Sequence, residues 1–190
     1  ITKTANADDN INLSFSTGGN HYTELIDVSD LTFVGTSLGS TAWEFDLYGM
    51  TDSSVTVAER ITAQITSVSV RCRMSRQLLG GILITDAEGR ATLKTYGRRY
   101  YGTEVILNSS FTNYDFDFTT NPYTGETWTW DEVDALTIGV EMRSGQDAGG
   151  IRRAECSTLT VTVNYTQGLP AGTIVEMSTL VPTDLADLRA

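Results

Sequence analysis

Apolar and polar residues alternate in short stretches along most of this chain, and helical three-to-four spacing is almost absent. Ile11, Leu13 and Phe15 fall on one face of a strand over 11–16, and Trp43, Phe45 and Leu47 do the same over 42–48. The segment Ser16-Thr-Gly-Gly-Asn-His between them reads as a loop. The longest predicted strand runs over 62–74. Gly80-Gly81 follows it, then a strand over 82–85, a turn at Asp86-Ala-Glu-Gly89 and a strand over 91–96 that is expected to complete a hairpin. Two more follow over 103–107 and 113–119. In the second, Tyr114, Phe116 and Phe118 alternate with Asp115 and Asp117. Strands this short and this regularly spaced predict an all-β, antiparallel sandwich.

The stretch from Asn121 to Met142 breaks the pattern. Asn-Pro and Thr-Gly mark a turn, and Thr129 with Glu132 three residues on has the spacing of a capping box for a helix of two turns at most. Ile138, Val140 and Met142 then alternate as a half-buried strand does. Residues 1–10 are polar and do not alternate, so they read as an N-terminal arm; 11–166 form the sandwich; 167–190, opening on Gly168-Leu-Pro-Ala-Gly172, read as a linker and tail. In that tail Thr183 is placed to cap a short helix over 184–189.

The connector carries a resemblance. With Tyr114-Asp-Phe-Asp-Phe-Thr-Thr before it and Cys156-Ser-Thr-Leu-Thr-Val-Thr-Val-Asn-Tyr165 after it, Asn121-Pro-Tyr-Thr-Gly-Glu-Thr-Trp-Thr-Trp-Asp-Glu-Val-Asp-Ala-Leu resembles a jelly-roll β-sandwich module of tailed-phage structural proteins and bacterial surface proteins. Gly18-Gly-Asn-His-Tyr22, Asp27-Val-Ser-Asp30 and Ile65-Thr-Ser-Val-Ser-Val70 sit where that module has comparable segments, so the resemblance spans about residues 10–166. It implies a jelly roll with one short connector helix, in a virion or cell-surface setting. The end of the chain, Met177 to Ala190, resembles the opening of small head-completion proteins of tailed phages, which agrees with that setting.

Charge narrows the partners. With 24 acidic against 13 basic residues the formal net charge is −11, which repels nucleic acid and anionic membranes. Arg71/Arg73/Arg76, Arg98/Arg99 and Arg152/Arg153 are explained by strand alternation or by pairing with the acidic excess. No apolar run approaches the roughly 18 residues that a membrane helix needs. Cys72 shares a face with Val68 and Val70, whereas Cys156 is in phase with Thr158, Thr160 and Thr162 and out of phase with Leu159, Val161 and Val163. A bulge near Glu155 would restore the phase, so a disulfide and two free thiols both stay open. Two cysteines and a single histidine fit no zinc pattern, and no cofactor is implied.

Candidate chemistry is thin. Gly35-Thr-Ser-Leu-Gly39 has the spelling of a hydrolase nucleophile elbow, but a strand rather than a helix is expected after it, and His21 lies upstream of Ser37 instead of following it. The acidic pairs Asp8/Asp9, Asp115/Asp117 and Asp131/Glu132 suit a glycosidase only at the right separation, and a chain this acidic produces such pairs by chance. Aromatic residues are the stronger candidates: Tyr123, Trp128 and Trp130, with Tyr96-Gly-Arg-Arg-Tyr-Tyr101, either stack on sugar rings or plug the sandwich end beneath the helix. The all-β pattern, the lack of a catalytic constellation and the polar termini indicate a non-enzymatic structural subunit, and the resemblance implies that it belongs to a tailed-phage virion, as capsid decoration, head fibre or tail component. It is expected to assemble with copies of itself and other virion proteins through its termini. The alternatives are an extracellular filament subunit joined by strand addition and a cell-surface module that binds glycan.

Overall fold

A computed structural model describes residues 2–13, 15, 25, 33–50, 55–78, 82–83, 85–145, 147–148 and 152–168, with the backbone alone described for 2–13, 78, 82–83, 147–148 and 152. These residues form an all-β sandwich whose strand pairings are all antiparallel. The strands are β1 (Thr2–Leu13), β2 (Val34–Gly35), β3 (Glu44–Met50), β4 (Ala63–Leu78), β5 (Ile82–Leu83), β6 (Glu88–Thr95), β7 (Arg98–Tyr101), β8 (Val105–Ile106), β9 (Thr112–Phe118), β10 (Thr137–Arg143), β11 (Asp147–Ala148) and β12 (Arg152–Gln167). The helices α1 (Val57–Thr62) and α2 (Trp130–Asp134) lie between strands, and each opens on a complete capping box, Thr56/Glu59 and Thr129/Glu132.

One sheet runs β9-β4-β12-β1 and the other β1-β3-β10-β6-β7, with β1 belonging to both. Thr2–Thr4 pair with β12, and Ala5–Leu13 pair with β3 through two register shifts. The expectation of a free arm over 1–10 is therefore corrected for residues 2–10. An edge strand is held by its backbone hydrogen bonds and needs no side-chain alternation. The tail beyond residue 168, with its expected helix, lies outside the described residues, as do His21, Gly18–Tyr22, Asp27–Asp30 and Gly80-Gly81.

The core lies between the sheets. From one side come Val68, Val70, Cys72, Met74, Leu159, Val161 and Val163; from the other come Tyr48, Met50, Leu93, Ile138, Val140 and Met142. Strands β4 and β12 are paired over nearly their whole 16 residues, with a bulge at Thr66 on β4 and another at Ser157 on β12. The second bulge falls two residues beyond the position expected from parity. It turns Cys156 inward while keeping Leu159, Val161 and Val163 inward, so both cysteines are fully buried as free thiols.

One expectation is overturned. The segment 82–85 does not pair with 91–96: β5 pairs with β11, and β6 lies between β10 and β7. The true hairpin is β6–β7, closed by Tyr96-Gly97 with both residues at positive φ, 50° and 74°, which is the type I′ arrangement. Strand β3 keeps Trp43, Phe45 and Leu47 on one face, as the alternation predicts. Its register with β10 pairs Tyr48 with the core residue Ile138 and Asp46 with Val140, so Glu44, Asp46, Tyr48 and Met50 face inward. Trp43, Phe45 and Leu47 therefore stand on the outer face, where Leu47 is nonetheless fully buried.

The inward carboxylates are satisfied. Asp46 accepts from the Phe15 N–H at 3.2 Å and the Tyr48 hydroxyl at 3.0 Å, and Glu44 accepts from the Ser37 N–H at 2.9 Å. A buried charge with its acceptor sites filled in this way loses much less on leaving water than a bare one.

Candidate functional site

The connector is built by backbone chemistry already visible in its residue types. Asn121 Oδ1 accepts from the Tyr123 N–H at 2.9 Å, the Asn121 carbonyl accepts from Gly125 at 2.8 Å, and Gly125 supplies the positive φ of 77° that the turn needs. Thr129 and Glu132 then cap α2 reciprocally, at 3.3 Å and 2.8 Å. This geometry sends both indoles inward. Trp128 is 3% exposed and donates from Nε1 to the Phe118 carbonyl at 2.9 Å. Trp130 is 7% exposed, donates to the Ala63 carbonyl at 3.4 Å, and lies edge-on to Tyr165 with ring centroids 5.3 Å apart. With Val133 and Leu136 they close one end of the core, and neither ring face is free for a ligand.

Tyr123 is placed differently. It is 45% exposed and stacks on Tyr96, at 4.5 Å between centroids and 19° between planes, while the Arg98 guanidinium stands 5.7 Å from its ring. Tyr96 is 59% exposed and occupies the first position of the type I′ turn, in a left-handed conformation that costs any residue with a Cβ and is rare for an aromatic. Sequence reasoning treated 96–101 as one aromatic run; the turn separates Tyr96 from Tyr100 and Tyr101, which belong to β7.

Glu132 ties the two parts together. Its carboxylate accepts from the Thr129 N–H and, at 3.0 Å, from the Tyr96 hydroxyl. Burial pushes its pKa up, but the Thr129 N–H, the Tyr96 hydroxyl, the Thr129 side chain and the Asn121 side chain outweigh that, and the net shift is below the ordinary glutamate value. The buried Asn121 Nδ2 itself has no partner within hydrogen-bonding geometry, so its effect on Glu132 is that of a nearby dipole. Beside this group lies a cleft of about 430 Å³, lined by Thr95, Tyr96, Thr129, Asp131, Glu132 and Ala135. The Tyr96 phenol ring, threonine hydroxyls and carboxylates in one open cleft supply a flat apolar surface next to hydrogen-bond acceptors.

The other sequence candidates are accounted for locally. Ser37 donates to Glu44 from its N–H and its hydroxyl, and Ser40 N–H closes a turn onto the Ser37 carbonyl; no helix follows, and the chain enters β3. Asp115 is held by Arg71 in a two-bond pair at 2.6 and 2.9 Å, and Asp117 accepts from Ser69. Both stand on the outer face of the β9-β4-β12 sheet among Ser67, Thr160, Thr162 and Asn164, a wholly polar surface. Among the described residues no three His, Cys, Asp or Glu side chains converge as a metal site.

The opposite outer face is of another kind. The Arg90 guanidinium lies 4.2 Å from the ring centroids of both Trp43 and Tyr101, Arg143 lies 4.8 Å from Trp43, and Arg99 lies 3.8 Å from Phe45. Beneath them Glu141, 4% exposed, accepts from Arg90 Nε at 2.6 Å and has Arg99 at 3.8 Å. Arg90 reaches on to Glu104 at 2.7 Å, and Arg143 pairs with Glu88 at 2.8 Å.

No protein-family model matches this chain, and no curated protein matches it. Among solved structures, one described as "CBM4 structure and function" has a TM-score of 0.42 and 14% identity, over 80% of this chain and 94% of that chain.

Proposed function

We propose that this chain is a non-enzymatic β-sandwich module that binds carbohydrate at the sandwich end, through Tyr96, Tyr123 and the cleft beside them. The observation that carries the reading is Tyr96: an exposed aromatic side chain held in a strained turn conformation, stacked on a second exposed tyrosine and hydrogen-bonded to Glu132. Backbone strain retained at an exposed position is a mark of function rather than of folding. The C–H face of a pyranose packs on a phenol ring, and its hydroxyls donate to carboxylates such as Asp131 at the cleft rim. The resemblance of the connector to tailed-phage structural and bacterial surface proteins supports a virion or cell-surface setting, where glycans are the abundant ligands.

A glycan array tests this with the wild-type chain, Tyr123→Ala and Tyr96→Asn. Asparagine tolerates the left-handed conformation and precedes Gly97 in the pairing that type I′ turns prefer, so this change keeps the hairpin while removing the ring. Both variants are expected to stay folded, as read by thermal melting, and to lose binding at least tenfold. A wild-type chain that binds no glycan, or variants that bind as it does, would remove the reading. The structural-subunit reading is favoured by a separate observation, the arginine and aromatic face of the β3-β10-β6-β7 sheet.

A further inference from the structure

We propose that the outer face of the β7-β6-β10-β3 sheet is an interface on which a second copy of this chain docks. Three observations carry it. First, β3 turns Trp43, Phe45 and Leu47 away from the core and its carboxylates Glu44 and Asp46 into it; Leu47 is already fully buried within the chain, whereas Trp43 and Phe45 are only half-buried. A strand that spends its apolar side chains on the outer face is built for that face to be covered as well.

Second, the face is composed as protein interfaces are. Trp, Tyr and Arg are the residue types that dominate binding energy when a partner desolvates them. Here guanidinium groups lie against Trp43, Tyr101 and Phe45, and a stacked guanidinium keeps edge N–H groups for hydrogen bonds to a partner. On the outer face of the other sheet the cleft around Arg71 is lined by Ser, Thr, Asn and Asp and by no aromatic ring.

Third, charge selects the partner. The chain carries a net charge of −11, so two copies repel over most of their surface. On this face Lys94, Arg90, Arg99 and Arg143 stand among Glu88, Glu104 and Glu141, leaving it close to neutral. Cations and carboxylates both reach solvent there, with the side chain of Arg143 35% and that of Glu104 48% exposed. A patch that presents both signs is complementary to its own copy across a two-fold axis, the commonest symmetry of protein dimers. Tyr101 and Ile106, at 44% and 59% exposure, are the side chains a partner would bury first.

Sedimentation velocity over a range of concentrations tests this on the full chain. The wild-type chain is expected to dimerise, Tyr101→Asp and Ile106→Asp each to weaken dimerisation by roughly tenfold or more, and Thr162→Asp, on the opposite outer face, to leave it unchanged. Thermal melting reports whether each variant is folded; should Tyr101→Asp not fold, Ile106→Asp, at the more exposed site, decides. A wild-type chain that stays monomeric at every concentration, or a dimer weakened equally by Thr162→Asp, overturns the proposal. Glycan binding by the monomeric variants is a separate readout, so this interface and the cleft stand or fall independently.

Discussion

Replacing Trp128 by alanine tests whether the connector is part of the core or part of a binding surface. The indole is 3% exposed, lies in the same packed cluster as Val133, Leu136 and Phe116, and donates to the Phe118 carbonyl at 2.9 Å. Truncating a buried tryptophan removes its transfer free energy and leaves a cavity, together about 3–5 kcal/mol. The Phe118 carbonyl also loses its donor, at a further cost of about 1 kcal/mol unless water enters. Against a total stability of about 5–15 kcal/mol for a domain, such a loss is a large fraction. For a domain of this size each kcal/mol moves the melting temperature by about 2–4 °C, so a fall of roughly 10 °C or more is expected. Urea denaturation followed by circular dichroism measures it, with Trp128→Phe alongside. Phenylalanine keeps most of the packing and loses the N–H, and should cost about 1–2 kcal/mol. A Trp128→Ala chain within 1 kcal/mol of wild type, or a Trp128→Phe chain of unchanged stability that has lost glycan binding, would refute the reading of Trp128 as a core plug.

Two further outcomes follow from ionisable groups. Glu132 has its pKa held below the ordinary glutamate value in the fold, so the stability it contributes is complete above the unfolded-state pKa, about 4.3, and is lost as pH falls through the lower folded value. Glu132→Gln should therefore flatten the acid limb of a stability–pH curve, and an unchanged limb would show that the Tyr96–Glu132–Thr129 network contributes nothing. Burial pushes the Cys72 thiol well above the ordinary range, with Cys156 and Asp115 adding to it, and pushes Cys156 up to about 12. Neither thiol should react with iodoacetamide at pH 8 in the folded chain, and both should react after denaturation; rapid labelling of the native protein would place them at the surface.

The connector was readable because its signals are local. Asn-Pro, Thr-Gly and the Thr129/Glu132 spacing each act within four residues, and the structure forms the turn and cap they describe. What was not readable depends on residues distant in sequence. The hairpin assigned to 82–85 and 91–96 failed because β5 finds its partner at 147–148, while the real turn, Tyr96-Gly97, has an aromatic residue where Asn or Asp would announce it. The bulge at Ser157, which brings Cys156 inward, leaves no mark in composition. Tyr123 was a candidate from the start, but its partner Tyr96 is placed by that unannounced turn. The cleft therefore could not be assembled from the sequence.

Strand β3 shows why an alternating pattern can define an element and leave its orientation open. Both of its faces carry apolar residues, Trp43, Phe45 and Leu47 on one and Tyr48 and Met50 on the other, so hydrophobicity alone does not fix which face meets the core. What tips the balance is that the carboxylates in phase with Tyr48 find donors inside, from Phe15, Tyr48 and Ser37, whereas the opposite phase would leave arginines of β6, β7 and β10 without rings to lie on. Each such cation–ring contact contributes about 0.5–2 kcal/mol, more as water is removed. In the isolated chain Tyr101 stays 44% exposed and the side chain of Arg99 32% exposed, so the contacts on this face are only partly desolvated. A second copy laid over them would exclude that water and strengthen every guanidinium–ring pair at once, adding to the reason that the donors inside the single chain already give for the orientation of β3.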